Sequence, residues 1–130
     1  MQFYIATKLE NHAEHNRLRD WLTERGHQIT YDWTRHGPVF SKGLRVVREV
    51  AIAECRGVAQ ADVVIVLWPG GRGTHVELGV AIALGKWVIL CSPLGEHHEA
   101  TKETCAFYHH PNVTLVRTIA GLHQALGGER

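Results

Sequence analysis

Apolar and polar positions follow two periods along the chain, and their order predicts strands separated by helices. Continuous apolar runs, which are typical of strands buried on both faces of a parallel sheet, occur at 3–7, 62–68 and 86–92. The β-branched and aromatic segment 27–33 and the segment 113–117 predict two further strands. Five strands are therefore expected.

Apolar residues at helical spacing predict helices between these strands. The segments 14–25, 42–60 and 74–84 carry this pattern, and a glycine follows the first and the third as a stop signal. Thr118 is a suitable N-cap for a short final helix. The segment 93–112 is polar and mixed, with room for one short helix.

Strands that alternate with helices pair in parallel through right-handed crossovers. The fold class predicted is α/β: a doubly wound, flavodoxin-like (Rossmann-like) sheet of five parallel strands in the order 2-1-3-4-5, with helices on both faces. Residues 1–130 should form a single domain, because no repeat or linker divides them. Ligands bind such sheets outside the carboxyl ends of the strands, here at the turns that begin at Thr7 and Trp68.

Composition narrows the classes of partner. Fourteen Lys and Arg residues against 13 Asp and Glu residues give a formal net charge of +1. This balance does not suggest a protein that binds nucleic acid or a membrane surface. The N-terminus lacks the pattern of a secretory signal. Three cysteines without metal-ligand spacing indicate reduced thiols, so we expect a cytoplasmic protein, with Cys55 and Cys91 in the core.

Ten histidines raise the question of a metal site. The adjacent pairs at 97–98 and 109–110 project their side chains apart on a helix or a strand, and neither pair has a third ligand at a recognisable spacing. We expect solvated loop histidines, no metal and no cofactor.

The turn between the third strand and its helix concentrates the candidate chemistry. Gly70, Gly71 and Gly73 permit a tight turn and the close approach of a ligand to the backbone. Arg72 adds a fork of donors, and Thr74 can cap the helix. Because the start of a helix offers free N–H groups and a positive dipole end, this turn is predicted to bind a phosphate.

Glu77 lies three residues after Thr74 and has two interpretations. In a capping box, its carboxylate reaches back to the N–H group of the cap residue. As a functional group, it stands in the ligand crevice, ionised through the helix dipole. The spacing alone leaves both open.

The segment ADVVIVLWPGGRGTHVELGVAIALGKWVIL resembles the nucleoside 2-deoxyribosyltransferase family and its relatives, the deoxynucleoside monophosphate N-hydrolases. The similarity is clearest over 61–91, where a strand beginning Ala-Asp-Val leads through a glycine-rich turn to a Glu-Leu-Gly helix. The opening strand FYIAT supports it, as does an acidic residue eight positions before Asp62, here Glu54. The resemblance implies that Glu77 attacks the anomeric carbon of the sugar and that Glu54 holds the sugar or handles the proton.

The resemblance has further implications. It implies a homodimer or a larger homo-oligomer in which the neighbouring subunit completes each site. The turn also fits PGGxGTxxE, a pattern similar to that of the cytokinin-activating phosphoribohydrolases, which likewise cleave a base from a nucleotide. Transferases commonly carry an aspartate in the turn where this chain has glycine or arginine, which favours a phosphorylated substrate and hydrolysis. Glu54 is one methylene longer than the family's usual Asp.

Two carboxyl groups suit the cleavage of an N-glycosidic bond, which passes through an oxocarbenium-like state. Glu77 should stay ionised near a helix N-terminus, while Glu54 can titrate higher if it is buried; a solvated helix position is the alternative for Glu54. Thr7 and Ser92 follow the first and fourth strands and are further candidates for contacts to the substrate or its phosphate, although turns favour serine in any case. Tyr4 lies within the first predicted strand, where a position in the core is as plausible as a contact to the ligand.

The leading hypothesis is an N-glycosidase that acts on a nucleoside or a nucleoside 5′-monophosphate, by base release or by deoxyribosyl transfer between bases. The alternative is a non-catalytic nucleotide-binding sensor on the same fold, in which the turn binds the ligand and Glu77 only caps the helix.

Overall fold

The computed structural model describes residues 1–127, which form a sheet of five parallel strands in the order β2-β1-β3-β4-β5. This arrangement confirms the predicted fold class and strand order. The strands are β1 (Gln2–Ala6), β2 (Gln28–Ile29), β3 (Val63–Leu67), β4 (Trp87–Cys91) and β5 (Val113–Val116).

Helices fill the connections between the strands, and the long ones begin and end within two residues of their predicted bounds. They are α1 (His12–Glu24), α2 (Leu44–Gln60), α3 (Arg72–Ala83), α4 (Gly95–His98) and α5 (Ile119–Ala125). Single turns of 3₁₀ helix lie at Leu9–Asn11, Trp33–Arg35, Phe40–Lys42 and Ala106–His109. In this part of the chain no helix is both long enough and apolar enough to cross a bilayer.

The two faces of the sheet carry separate cores, because successive residues of a strand point to opposite sides. One core joins β1 and β3 to α2 and α3, and it includes Tyr4, Val64, Val58 and Leu78. The other joins the same strands to α1 and α5, and it includes Phe3, Ile65, Leu18, Leu22 and Leu122. Tyr4 therefore points from the middle of the sheet toward α2 and α3.

The second strand is much shorter than its predicted span of 27–33. After Ile29 the chain leaves the sheet, because the Asp32 side chain accepts a hydrogen bond from the Thr34 N–H group and starts a 3₁₀ turn. The indole of Trp33 is buried and donates to the carbonyl of Ile5 at 2.8 Å. The aromatic residues that indicated a strand instead fasten a loop to the carboxyl end of β1.

The expectation for the cysteines is half right. Cys91 is buried in β4, but Cys55 is exposed. Helix α2 packs on the sheet through Gly57 and Val58, its two buried residues, so Cys55 lies on the outer face. Apolar neighbours of a residue in the sequence do not show whether its side chain lies on the buried or the exposed face of a helix.

Gly57 lets α2 approach β1. A Cβ atom at Gly57 would lie 2.8 Å from the Tyr31 Cβ and 3.1 Å from the Tyr4 ring, whereas a Cβ at Gly79 in α3 would meet no heavy atom within 4 Å. We expect Gly57→Ala to lower the free energy of unfolding by about 1–3 kcal/mol through overpacking. Gly79→Ala, the matched control, should raise it by up to about 1 kcal/mol through helix propensity. Urea denaturation measures both, and equal effects would show that α2 does not depend on the close approach.

Candidate active site

A cavity of about 590 Å³ opens at the carboxyl ends of β1 and β3, where the strand order reverses. Most of the predicted site residues line it: Thr7, Glu54, Gly71, Arg72, Gly73, Thr74 and Glu77. The rest of its wall comes from Val47 and Val50 of α2, from residues 8–10 after β1, and from Trp33 and residues 36–40 of the β2–α2 loop. A larger depression of about 790 Å³ runs along β2, but its carboxylate, Asp32, already pairs with Arg19 and Arg35.

The glycine turn enters α3 two residues earlier than predicted. Gly71 is the N-cap residue, and Thr74 lies in the first turn, where its Oγ1 accepts a hydrogen bond from the Gly71 N–H group at 3.1 Å. Thr74 is therefore not the cap, and the capping-box interpretation of Glu77 is wrong. The first turn of α3 carries no acidic residue. Glu77 lies one turn further along the helix and faces the cavity.

The backbone of this turn has the features of an anion site. Helix geometry leaves the N–H groups of Arg72 and Gly73 without intrahelical partners. Gly71, Arg72 and Gly73 line the cavity, with the Arg72 side chain exposed at its mouth. Gly70 lies just outside the cavity, where a Cβ atom would come within 3.0 Å of the Thr74 side chain. Gly70 thus keeps the turn tight, while its neighbours offer their backbone to a ligand.

Glu77 is bound to a residue that the sequence left ambiguous. The Tyr4 hydroxyl donates a short hydrogen bond to the Glu77 Oε2 atom. Tyr4 is fully buried in the middle of β1, so its hydroxyl can reach a polar partner only on the helix above it. A tyrosine in the otherwise apolar run 3–6 was the available signal, since a buried hydroxyl needs a partner.

The protonation state of Glu77 differs from the expectation. Burial raises the pKa of Glu77 to about 8, the charge of Glu54 adds to the rise, and the hydrogen bond from Tyr4 opposes it. The helix dipole acts within the first turn only, and Glu77 is the sixth residue of α3. Desolvation therefore outweighs the dipole, and Glu77 is mostly protonated at neutral pH in the free protein.

Glu54 is a further carboxyl group of the cavity, which the exposed Glu10 also lines. It is half-buried on α2, and burial raises its pKa, while the proximity of His36 acts in the opposite direction. Its charge also raises the pKa of Glu77 and of Tyr4, so the three groups form one electrostatic cluster. A fully solvated position for Glu54 is thereby excluded.

The two remaining candidates are held by protein groups. The Thr7 Oγ1 donates to the Pro69 carbonyl and accepts from the Asn11 amide, both at 3.0 Å, and so joins the turns that follow β1 and β3. Ser92 lies away from the cavity: its buried hydroxyl contacts the Nδ1 atom of His97 at 3.0 Å and accepts from the Leu94 N–H group. Within residues 1–127, no three His, Cys, Asp or Glu side chains are placed to hold a metal ion.

The raised pKa of Glu77 makes stability depend on pH. The unfolded chain releases this proton near pH 4.5 and the folded protein near pH 8, so folding stability is lost as pH rises between these values. We expect Glu77→Gln, which has no proton to lose, to become progressively more stable than the wild type from pH 5 to pH 8. Thermal melts of both proteins across this range measure the difference. A constant difference in melting temperature would contradict burial as the cause.

Comparison with known proteins identifies the family of the chain. No curated protein sequence matches it significantly. Among solved structures, the Clostridium botulinum CMP N-glycosidase BcmB matches with a TM-score of 0.65 and 18% identity, over 98% of this chain and 99% of that one, which supports the fold. The family model for nucleoside 2-deoxyribosyltransferase matches residues 3–116. The chain, with its paired carboxyl groups beside a glycine-rich helix entry, belongs to the nucleoside 2-deoxyribosyltransferase family.

Proposed function

We propose that this protein is an N-glycosidase that releases the base from a nucleoside 5′-monophosphate. The observation that carries the proposal is the arrangement of Glu77 and Glu54 in one cavity, beside the start of α3, with the buried Tyr4 hydroxyl bound to Glu77. Family membership supports a nucleoside or nucleotide as the substrate class. The description of the structural neighbour as a CMP N-glycosidase supports a monophosphate.

In the first step, the ionised Glu77 carboxylate attacks C1′ of the sugar, and the N-glycosidic bond breaks. The two carboxyl groups share one proton, which lies on Glu54 in the reactive form, and the leaving base takes it from there; burial of Glu54 raises its pKa, in the direction that favours this form. The product is a glycosyl ester of Glu77 and a free base. Tyr4 holds the attacking oxygen in one orientation through its hydrogen bond.

In the second step, water attacks C1′ of the ester, and the Glu54 carboxylate accepts the proton from that water. Glu77 leaves as a carboxylate, and the sugar phosphate gains the hydroxyl group. Replacing the water by a second base gives deoxyribosyl transfer instead. Hydrolysis is the preferred outcome here because the turn has arginine and glycine where transferases commonly have an aspartate.

The phosphate binds at the start of α3 in this proposal. The unpaired N–H groups of Arg72 and Gly73 point away from the helix, and the Arg72 guanidinium adds charge at the mouth of the cavity. The sugar then lies over Glu77, and the base lies toward Val47, Val50 and Glu54 on α2. The apolar part of the wall suits the face of a base.

Activity of carboxyl variants tests the chemistry. We expect Glu77→Gln to reduce base release from monophosphates by at least about a thousandfold, because the nucleophile is lost. Glu54→Gln should reduce it by about a hundredfold or more, the usual contribution of a general acid. Glu49→Gln, an exposed position on the same helix, is the matched control and should leave the rate unchanged. Chromatography of free base over a panel of nucleosides and monophosphates gives the rates.

The pH profile tests the protonation state. The reactive form has Glu77 ionised and Glu54 protonated, so the pair carries one proton, and kcat/KM should follow a bell whose alkaline limb lies near the higher pKa, about 8. Tyr4→Phe removes the hydrogen bond that lowers the pKa of Glu77, and the alkaline limb should move to higher pH. A wild-type profile without a limb near pH 8 would show that Glu77 is not the buried nucleophile.

The panel also separates the alternative function. A sensor would bind nucleotides tightly without releasing base, and Glu77→Gln would leave that affinity unchanged.

The proposal includes a homodimer or a larger homo-oligomer. Apolar side chains exposed on α2, on α3 and at the residue after α3 agree with this, namely Leu44, Ile52, Val76 and Leu84.

A further inference from the structure

The imidazole of His75, on the first turns of α3, uses both of its nitrogen atoms. Its Nδ1 atom lies 2.7 Å from the Gly71 carbonyl oxygen, and its Nε2 atom lies 2.8 Å from the Tyr108 hydroxyl oxygen. Neither His75 nor Tyr108 lines the cavity. The two side chains thus form a bridge behind the glycine turn, on the side away from the ligand.

Hydrogen-bonding chemistry fixes the direction of this bridge. A carbonyl oxygen can only accept, so Nδ1 of His75 carries the proton and donates to Gly71. In the neutral imidazole, Nε2 is then an acceptor, and the Tyr108 hydroxyl donates to it. Burial raises the pKa of Tyr108, so this hydroxyl keeps its proton. Tyr108 thus donates to His75, and His75 donates to the Gly71 carbonyl oxygen.

The carbonyl at the end of the bridge controls an N–H group in the cavity. The Gly71 carbonyl accepts from the His75 imidazole and also from the His75 backbone N–H group at 3.2 Å. It shares one planar trans peptide group with the N–H of Arg72, and in such a group the two bonds point in opposite directions. Holding the carbonyl toward His75 therefore holds the Arg72 N–H toward the predicted phosphate.

Tyr108 connects this turn to a segment more than thirty residues away in the chain. It lies in the 3₁₀ turn Ala106–His109, is only 3% exposed, and packs against Trp68 and His97 with ring centroids 6.1 and 5.8 Å apart. The segment that sequence periodicity could not assign thus supports the glycine turn from behind.

We propose that His75 and Tyr108 are positioning residues that aim the Arg72 N–H group at the substrate phosphate, and so set the preference for a monophosphate over the nucleoside. This inference rests on the proposed function. It assigns His75 and Tyr108 no contact with the substrate and no part in breaking the glycosidic bond.

The test compares a monophosphate and its nucleoside in matched variants. We expect His75→Ala to lower the ratio of their kcat/KM values by about tenfold and Tyr108→Phe by about threefold, as for the loss of one or two hydrogen bonds. His75→Asn keeps a donor near the Nδ1 position, so it should recover part of the loss seen in His75→Ala. His98→Asn is the control: its Nε2 atom lies 2.9 Å from the Ser92 carbonyl oxygen, so this ring also bonds a backbone carbonyl, but one outside the glycine turn.

A purely structural role would reduce the turnover of both compounds equally, and an unchanged ratio in His75→Ala and Tyr108→Phe would overturn the inference. The preference in binding is measured separately, as the ratio of the dissociation constants of the two compounds, by calorimetry with each variant in a Glu77→Gln background. If phosphate preference in binding depends on His75 while the wild type releases no base, the proposed function fails and the inference stands. If neither compound binds, both fail.

Discussion

A carboxyl group enclosed between a helix and a strand loses its hydration, and the structure around Glu77 follows from that loss. The Tyr4 hydroxyl replaces part of the lost water, which requires a tyrosine at the one position of β1 that lies under Glu77. The free protein keeps Glu77 largely neutral at pH 7, since its pKa is near 8. A positive charge developing on a sugar ring would favour the ionised form. In the proposed mechanism, Glu77 would then ionise, and so become reactive, as the substrate develops its charge.

Enclosure of Glu77 depends on how closely the neighbouring elements pack. Gly57 has no side chain between α2 and the Tyr4 ring, and this brings Glu54 over the same cavity as Glu77. The two carboxyl groups raise one another's energy when both are charged, which favours a state with one proton shared between them. The proposed displacement at C1′ requires such a pair, with one group ionised and the other protonated. The close packing of α2 on β1 would therefore also set the protonation of the two carboxyl groups.

The sequence was sufficient to predict the sheet, its strand order and the glycine turn, because apolar runs of strand length alternate with helical periods throughout. It was insufficient where the structure depends on contacts between residues that are far apart in the chain. Glu77 and Tyr4 are 73 positions apart, so neither the hydrogen bond nor the protonation state could be inferred from local spacing. Thr74 matched a capping signature, yet the glycine before Arg72 caps the helix without a side chain. The aromatic run 27–33 fitted a strand, but the Asp32 turn and the buried Trp33 indole hold it as a loop.

The short strand β2 has a consequence for how such a protein can change. Only two residues of β2 pair in register with β1, and after the bond from the Thr30 N–H group to the Phe3 carbonyl the segment 31–43 lines the cavity outside the hydrogen-bonded ladder. Loops of this kind accept insertions and substitutions at small thermodynamic cost. His36, Val39 and Phe40 of this loop line the cavity, whereas Glu77 belongs to α3 and its partner Tyr4 to the sheet. One part of the cavity wall is therefore free to change while the hydrogen bond between Tyr4 and Glu77 stays in place.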